Sequence, residues 1–251
     1  MLVYLDQNYA SRIAKYLLGL PHNEVFGFFW RELKAGAAEG RFLSPPSPFH
    51  VLELHGGYLL PTFRSLFAEV SGGYWVRPWQ EVVRRQAERG GLALADLLTR
   101  RGRWDRPADL APLWDLLDWE LEGSFFQRAA AAAEAVSRLL GLGPAGAGLP
   151  FVRVLARLLA FRSLQTRRRE RLADLVDLAM AATVRPYADA LGTDRFLREA
   201  LARVGYGQAV FSGRAAEVRR FADWLRMRRD EAHGQSLSRS QEPTPGDADR
   251  L

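Results

Sequence analysis

The chain has 251 residues, 48% of them hydrophobic, and its length allows one large domain or one domain with an insertion. It contains no cysteine, which excludes disulfides, thiolate zinc sites and a cysteine nucleophile. The formal net charge is +6. No segment has the composition of a secretory signal or the roughly 18 apolar residues of a membrane span, so we expect a cytoplasmic protein.

The first quarter of the chain predicts a strand, an acidic turn and helices. Residues 2–5 form an apolar run that stops at Asp6, which is typical of a buried strand. A helix is expected over residues 9–18, with Asn8 as a candidate N-cap. A second helix is expected over residues 21–38, a short strand over residues 41–44, and a further helix from about Pro48 until Gly56.

The middle of the chain, from about residue 58 to residue 165, is predicted to be mainly helical. Helical periodicity covers residues 93–99, 111–121 and 125–142, whereas residues 75–79 are expected to be extended. Residues 141–150 are rich in Gly, Ala and Pro and form a connector. A charged helix is expected to start near Phe151 and to contain three consecutive arginines at positions 167–169.

The last part of the chain alternates again between helices and strands. Helices are expected over residues 172–183, 196–204 and 215–229, and strands over residues 190–193 and 208–211. From His233 onward Ser, Gln, Pro and Asp predominate, which predicts a disordered tail.

The alternation of strands and helices at both ends predicts an α/β fold. We expect a parallel sheet of about four to five strands with helices on both faces. Residues 1–57 and 172–232 would form this core, residues 58–171 a large helical insertion, and residues 233–251 the disordered tail.

Acidic residues follow or flank the predicted strands. Asp6 and Asp194 come directly after strands, and the carboxyl ends of strands form the sites of open parallel sheets. Glu53 and Asp177 lie early in helices that accompany strands. Four carboxylates brought together would be unstable without cations, and Mg²⁺ and Mn²⁺ prefer such oxygen ligands. The pattern therefore predicts a metal site.

Three stretches of the sequence resemble motifs of PIN-like domains. The run Tyr4-Leu5-Asp6-Gln7-Asn8 resembles the opening motif, an apolar strand that ends in Asp with a nearby Asn. Residues 47–53 resemble the second motif, a helix that brings in a Glu. Residues 177–194 resemble the C-terminal block, with an acid on a helix, a strand and a Thr-Asp pair. The resemblance covers about the first sixty residues and residues 172–211, but not the middle.

The resemblance implies a nuclease that uses Mg²⁺ or Mn²⁺ to hydrolyse phosphodiester bonds, with single-stranded RNA as the expected partner. The implied metal-binding and catalytic residues are Asp6, Glu53, Asp177 and Asp194. Asn8 and Thr193 are expected to support these ligands without binding the metal themselves.

Structural explanations exist for the same residues. Asp6 is also a candidate helix cap, and Glu53 a solvated helix residue. Asp174 is an alternative metal ligand on the same helix, but we prefer Asp177 for this role. Thr193 orients Asp194 or a metal-bound water, or simply ends a strand.

Two further residues near the motifs are expected to have structural roles. His50 lies on the same helix face as Glu53 and is expected to pack or to form hydrogen bonds. Asp189 precedes Asp194 by five positions, so it should lie at the opposite end of the strand, roughly 16 Å away.

Arginines of the middle segment are the candidate nucleic-acid contacts: Arg103, Arg167, Arg168 and Arg169. Trp104 either stacks on bases beside them or packs into the core. The positive charge has two explanations that stay open, namely a polyanionic partner and an arginine-biased genome.

Three rival functions also stay open. A PIN-like fold can serve as a non-catalytic nucleic-acid-binding module, or as the toxin of a toxin–antitoxin pair whose antitoxin is a further partner. In a structural or interaction protein, the four acids would instead be scattered. A homo-oligomer is an additional candidate assembly.

Overall fold

A computed structural model of the chain describes residues 1–54, 57–90, 92–165 and 172–239. The N-terminal part contains β1 (Val3–Leu5), α1 (Gln7–Leu17), α2 (Glu24–Ala38), α3 (Pro48–Glu53) and α4 (Leu60–Val70). The middle contains β2 (Trp75–Val76), α5 (Trp79–Arg89), α6 (Leu94–Leu97), β3 (Leu98–Thr99), a 3₁₀ helix (Ala111–Asp118), α7 (Phe125–Leu139), a second 3₁₀ helix (Pro144–Gly148) and α8 (Pro150–Ser163). The C-terminal part contains α9 (Leu172–Val184), β4 (Ala190–Thr193), α10 (Arg195–Arg203), β5 (Val210–Ser212) and α11 (Ala215–Arg239).

The parallel sheet contains β1, β4 and β5, with β4 in the centre. Leu191 of β4 lies opposite Tyr4 on one side and Val210 on the other. The α/β fold with a parallel sheet is therefore confirmed. The expected number of strands was wrong, because the sheet found in the described ranges has three strands rather than four or five.

Residues 41–44 account for one of the missing strands. They contribute only a single bridge, between Leu2 and Leu43. Pro45 and Pro46 follow at once and have no backbone N–H to donate, so the ladder cannot extend.

Side chains of β1 alternate between two hydrophobic cores, which lie on opposite faces of the sheet. Leu2 and Tyr4 join a core with α8, α9 and α10, whereas Val3 and Leu5 join a core with α1, α2 and α11. Helices thus cover both faces, as predicted.

The middle segment packs as part of these cores rather than beside them. α4 contacts α1 and α2, and α8 contacts α9 and α10. Phe63 of α4 shares a core with Val3, and Phe151 of α8 shares the other core with Tyr4. The residues expected to form an insertion therefore help to build both faces.

Two predicted helices of the middle differ in part from the structure, because α6 covers only residues 94–97 of the predicted 93–99 and the second helix is not an α-helix. Residues 98–99 form β3, which pairs antiparallel with β2 so that Trp75 lies opposite Thr99. Residues 111–118 form a 3₁₀ helix. Leu113 and Leu116 of this helix and Leu110 directly before it are buried, and their spacing of three matches the 3₁₀ turn.

The C-terminal helix is longer than expected. α11 continues to Arg239, so residues 233–239 of the predicted tail are helical. No proline interrupts this stretch before Pro243. Residues 240–251 and the arginines at positions 167–169 lie outside the described residues. None of the described helices combines the length and apolar character needed to cross a membrane.

Candidate active site

Asp6 lies at the carboxyl end of β1 and is only 3% exposed. Its Oδ1 accepts a hydrogen bond from the Tyr9 backbone N–H at 2.8 Å, so Asp6 caps α1. Its Oδ2 accepts two more, from Thr193 Oγ1 at 2.7 Å and from the Asp194 backbone N–H at 3.0 Å. One carboxylate therefore joins the ends of two neighbouring strands.

Asp194 repeats this arrangement at the end of β4. It is half-buried, and its Oδ1 accepts a hydrogen bond from the Leu197 backbone N–H at 2.7 Å, which caps α10. The backbone angles of Asp6 and Asp194 are nearly the same, with φ of −71° and −75° and ψ of 174° in both. Two helix N-termini with acidic caps thus lie side by side, and each helix dipole stabilises the negative charge at its cap.

Thr193 supports a different acid from the one expected, and Asn8 does not cap α1. Thr193 is fully buried, and its hydroxyl orients Asp6 rather than Asp194. Asn8 is exposed in the first turn of α1, so the prediction that it caps the helix was wrong. Asp6 takes that position because the helix begins at Gln7, two residues earlier than predicted.

Gly192 allows α1 to approach β4 closely. A Cβ at this position would lie 2.9 Å from the Tyr9 ring, which is closer than carbon atoms normally pack. The Tyr9 backbone in turn binds Asp6. Sequence patterns did not identify Gly192 or Tyr9 as part of the site, since their contact joins distant segments.

His50 connects α3 to the end of β1. It is fully buried, with Nδ1 3.0 Å from the Ser47 backbone nitrogen and Nε2 2.8 Å from the Leu5 carbonyl oxygen. A backbone N–H can only donate, so Nδ1 accepts and Nε2 carries the hydrogen that binds Leu5. Burial lowers the pKa of His50 to about 4, so the ring is neutral near pH 7. The expected hydrogen-bonding role of His50 is confirmed.

Burial and repulsion between the acids raise their pKa values. Burial, together with the charge of Asp194, raises the pKa of Asp6 to about 7, although three hydrogen bonds to its carboxylate act in the opposite direction. Burial and then the Asp6 charge raise the pKa of Glu53 to about 8. The Glu53 side chain is nevertheless exposed to solvent on its helix, so water screens its charge and reduces this upward shift of the pKa relative to that of Asp6.

Asp177 is half-buried on α9, and it interacts with all the other predicted ligands. Burial raises its pKa to about 8, followed in size by repulsion from Asp6, Asp194 and Glu53. The four predicted acids thus share one electrostatic neighbourhood, with access to solvent at Glu53.

Asp174 lies three residues earlier on the same helix but has a different environment. It is 1% exposed, and its Oδ2 lies 3.2 Å from both Nε and Nη2 of the buried Arg162. Within the described part of the chain, no group donates a hydrogen bond to the Asp177 carboxylate. Arg162 therefore compensates Asp174, whereas Asp177 faces other acids.

The acids are near one another without enclosing a single point. Among the described residues, no three acidic or histidine side chains already surround one cation position. Repulsion acts over longer distances than the bonds of about 2.0–2.1 Å that Mg²⁺ forms with oxygen. The donor set still suits Mg²⁺ or Mn²⁺, because it consists of carboxylate oxygens, and His50 is already engaged by backbone groups.

Asp189 and Trp104 both make contacts that serve the fold rather than the acidic site. Asp189 lies at the other end of β4, as expected, and its Oδ2 accepts a hydrogen bond from the Leu2 backbone N–H at 2.7 Å. Trp104 is half-buried, with its ring centroid 4.9 Å from that of Trp75, which favours its role in packing. Arg103 beside it is exposed.

Comparison of the chain with protein-family models, with curated proteins and with solved structures gave no match. The four acids Asp6, Glu53, Asp177 and Asp194 form what we call the acidic centre. Its interpretation therefore depends on its own geometry.

Proposed function

We propose that the chain is a metal-dependent nuclease on a PIN-like fold, which hydrolyses phosphodiester bonds in RNA. The main support is the position of Asp6, whose Oδ2 accepts hydrogen bonds from both Thr193 and the Asp194 backbone. This contact brings the acids of two adjacent parallel strands side by side. Glu53 and Asp177 lie within electrostatic reach of both.

The four acids have the chemistry of a divalent metal site. Asp6, Glu53, Asp177 and Asp194 would hold Mg²⁺ or Mn²⁺. When bound, such an ion supplies activation of water and stabilisation of the charge that develops on the phosphate. Because protons occupy the acids with raised pKa near neutral pH, cation binding is accompanied by proton release.

The surrounding residues hold this set of ligands in place. Thr193 and the Asp194 N–H fix the orientation of Asp6. Neutral His50 fixes α3, and with it Glu53, to the carbonyl group directly before Asp6. Groups that orient metal ligands in this way commonly affect activity almost as much as the ligands.

Hydrolysis explains the acids better than binding alone. A module that only binds nucleic acid gains nothing from four carboxylates that repel phosphates. A cation reverses this repulsion, so the acids become useful only when a metal-dependent reaction is carried out.

The test is cleavage of end-labelled single-stranded RNA, and of DNA with the same sequence, in Mg²⁺, Mn²⁺ or EDTA. We expect the wild-type protein to cleave RNA with metal and not in EDTA. Asp177→Asn should lower the rate more than about 100-fold, because removal of a ligand should exceed the 10–100-fold effect of supporting groups. Asp189→Asn, at the other end of β4, is the matched control and should cleave normally.

Two results would overturn the assignment. Cleavage that persists in EDTA would show that the reaction needs no metal. A normal rate for folded Asp177→Asn would show that the acidic centre is not the active site. Metal-dependent cleavage of DNA but not of RNA would support the assignment as a nuclease and contradict RNA as the substrate.

A further inference from the structure

A cleft of about 770 Å³ lies beside α3. Its walls are the β2–β3 pair, the start of α5 and residues 101–107, and Pro48 of α3 also lines it. A space of this size exceeds what a single ion needs and lies within the range of about 300–1,000 Å³ that is typical of ligand sites. Five arginines line the cleft, against two acids, so its charge is positive.

Three of these arginines have no ionic partner among the residues that the structure describes. Arg77 and Arg85 share Glu81, at 2.6 and 3.3 Å. Arg101, Arg103 and Arg106 are exposed, and their side chains form no ion pair or hydrogen bond with any described residue. Each guanidinium group presents donors in a planar fork, which matches the oxygens of a phosphate.

The backbone that carries these arginines is held against an aromatic pair. A Cβ at Gly102 would overlap the Trp75 ring, so the glycine allows the segment between Arg101 and Arg103 to lie directly on the indole. Trp75 is itself held by the edge-to-face contact with Trp104 and by pairing with Thr99. The arginines therefore project from a fixed wall.

The cleft and the acidic centre are connected by α3. Pro48 lines the cleft, and Glu53 follows five residues later, about 7.5 Å along the helix axis. A single strand covers this distance with a few nucleotides. The positive cleft also compensates for the repulsion that the nearby acids exert on phosphates.

We propose that this cleft binds the sugar–phosphate backbone of single-stranded nucleic acid and directs the strand to the acidic centre. The second half of this statement rests on the proposed nuclease function, whereas the binding site does not. The ligand is a strand rather than one phosphate, because three unpaired arginines line a single continuous space.

The test is binding of a fluorescein-labelled oligouridylate in EDTA, measured by anisotropy over about 50–200 mM salt. The cleft variant is Arg101→Gln/Arg103→Gln/Arg106→Gln. The control is Arg64→Gln/Arg138→Gln/Arg153→Gln, which removes the same charge from exposed arginines on α4, α7 and α8 that do not line the cleft. An oligothymidylate arm separates RNA from DNA.

We expect the cleft variant to bind at least about 10-fold more weakly at low salt, with the log–log salt slope reduced by roughly 2, about 0.7 for each lost phosphate contact. The control should keep the wild-type slope. Arg103→Gln alone, which disturbs the fold least, should reduce the slope by about 0.7.

An unchanged slope in both cleft variants would overturn the proposal, whatever the cleavage assay shows. Equal competition by polyglutamate would also overturn it, because the site would then bind acidic peptides. Cleft-dependent binding without metal-dependent cleavage would support the cleft and reject the nuclease, so the two proposals fail separately.

Discussion

The two ends of the parallel sheet differ in how they accommodate charge. At the amino end of β4, Asp189 accepts a hydrogen bond from the Leu2 backbone, and Arg185 donates to three carbonyl oxygens. At the carboxyl end, Asp6 and Asp194 lie side by side, and Asp177 has no described donor. Charged groups at the first end are matched by the backbone, whereas those at the second end repel one another.

The same difference separates two acids of α9. Asp174 is paired with Arg162, while burial and then repulsion from neighbouring acids raise the pKa of Asp177, three residues later. Acids with matched partners stabilise a fold, and acids kept together without partners reduce stability, which is typical of functional sites. The contrast therefore separates a carboxylate that is paired within the fold from the carboxylates that we propose as metal ligands.

The largest expected difference between the two ends is in activity. Asp6→Asn should lower metal-dependent cleavage more than about 100-fold, because it removes the charge that joins both strands. Asparagine is also a good N-cap, so α1 should remain folded. Single-turnover cleavage in Mn²⁺, with circular dichroism as the control for folding, measures this effect. If the folded variant cleaves at the wild-type rate, the carboxyl end of the sheet contributes no more to activity than the amino end.

The next effect concerns the hydroxyl that orients Asp6. Thr193→Val keeps the shape of the buried side chain but removes its hydrogen bond, so Mn²⁺ affinity and cleavage should fall about 10–100-fold. Thr193→Ser retains the hydroxyl and should recover most of the loss. Calorimetric titration with Mn²⁺ measures the affinity. Equal affinities for the valine and serine variants would show that Thr193 only fills space.

A smaller effect is the pH dependence of stability without metal. The pKa values of Asp6, Glu53 and Asp177 are raised to about 7, 8 and 8 in the folded state, against about 4 in the unfolded chain. The resulting stabilisation is fully present below about pH 4 and is lost as the pH rises to about 8, since the folded state retains protons that the unfolded chain releases.

Thermal unfolding in EDTA tests this sign. The Tm should fall between about pH 5 and pH 8, and Asp177→Asn should make the fall shallower. Mg²⁺ or Mn²⁺ should restore the Tm at pH 8 because it binds the folded site. Asp189→Asn should keep the wild-type slope. A Tm that rises over this range would contradict the clustering of repelling acids.

The smallest effect is expected at the amino end of β4. Asp189→Asn retains an oxygen that can accept from Leu2, so the free energy of unfolding should fall by less than about 1.5 kcal/mol. Cleavage should not change. Urea unfolding, combined with the cleavage assay, measures both quantities. A large loss of activity would mean that this end also contributes to the site.

Much of the acidic centre could be predicted because its signals are local. An apolar run followed by Asp predicts a strand, a cap and a helix, and this pattern placed both Asp6 and Asp194 correctly at strand ends. The partner of Thr193 could not be predicted, because the hydrogen bond to Asp6 joins residues 187 positions apart. The same holds for the contact between Gly192 and Tyr9.

The fold was predicted less completely where packing overrides periodicity. Residues 111–121 gave a helical pattern, but the spacing of three between Leu113 and Leu116 aligns these buried side chains best on a 3₁₀ turn. The middle segment was predicted as an insertion because it contains none of the motifs found at the two ends of the chain. Burial of α4 and α8 in the two cores depends on contacts that local patterns do not contain.

The hydrogen bond between Asp6 and Thr193 also has a consequence during protein synthesis. At about 5–20 residues per second, a ribosome needs roughly 10–40 s to add the 187 residues that separate them. During that interval β1 lacks the central strand of its sheet, and Asp6 lacks two of its three hydrogen-bond donors. Under the proposed nuclease function, the nascent chain would therefore be inactive beside the messenger RNA that encodes it, because the site is complete only after β4 has left the ribosome.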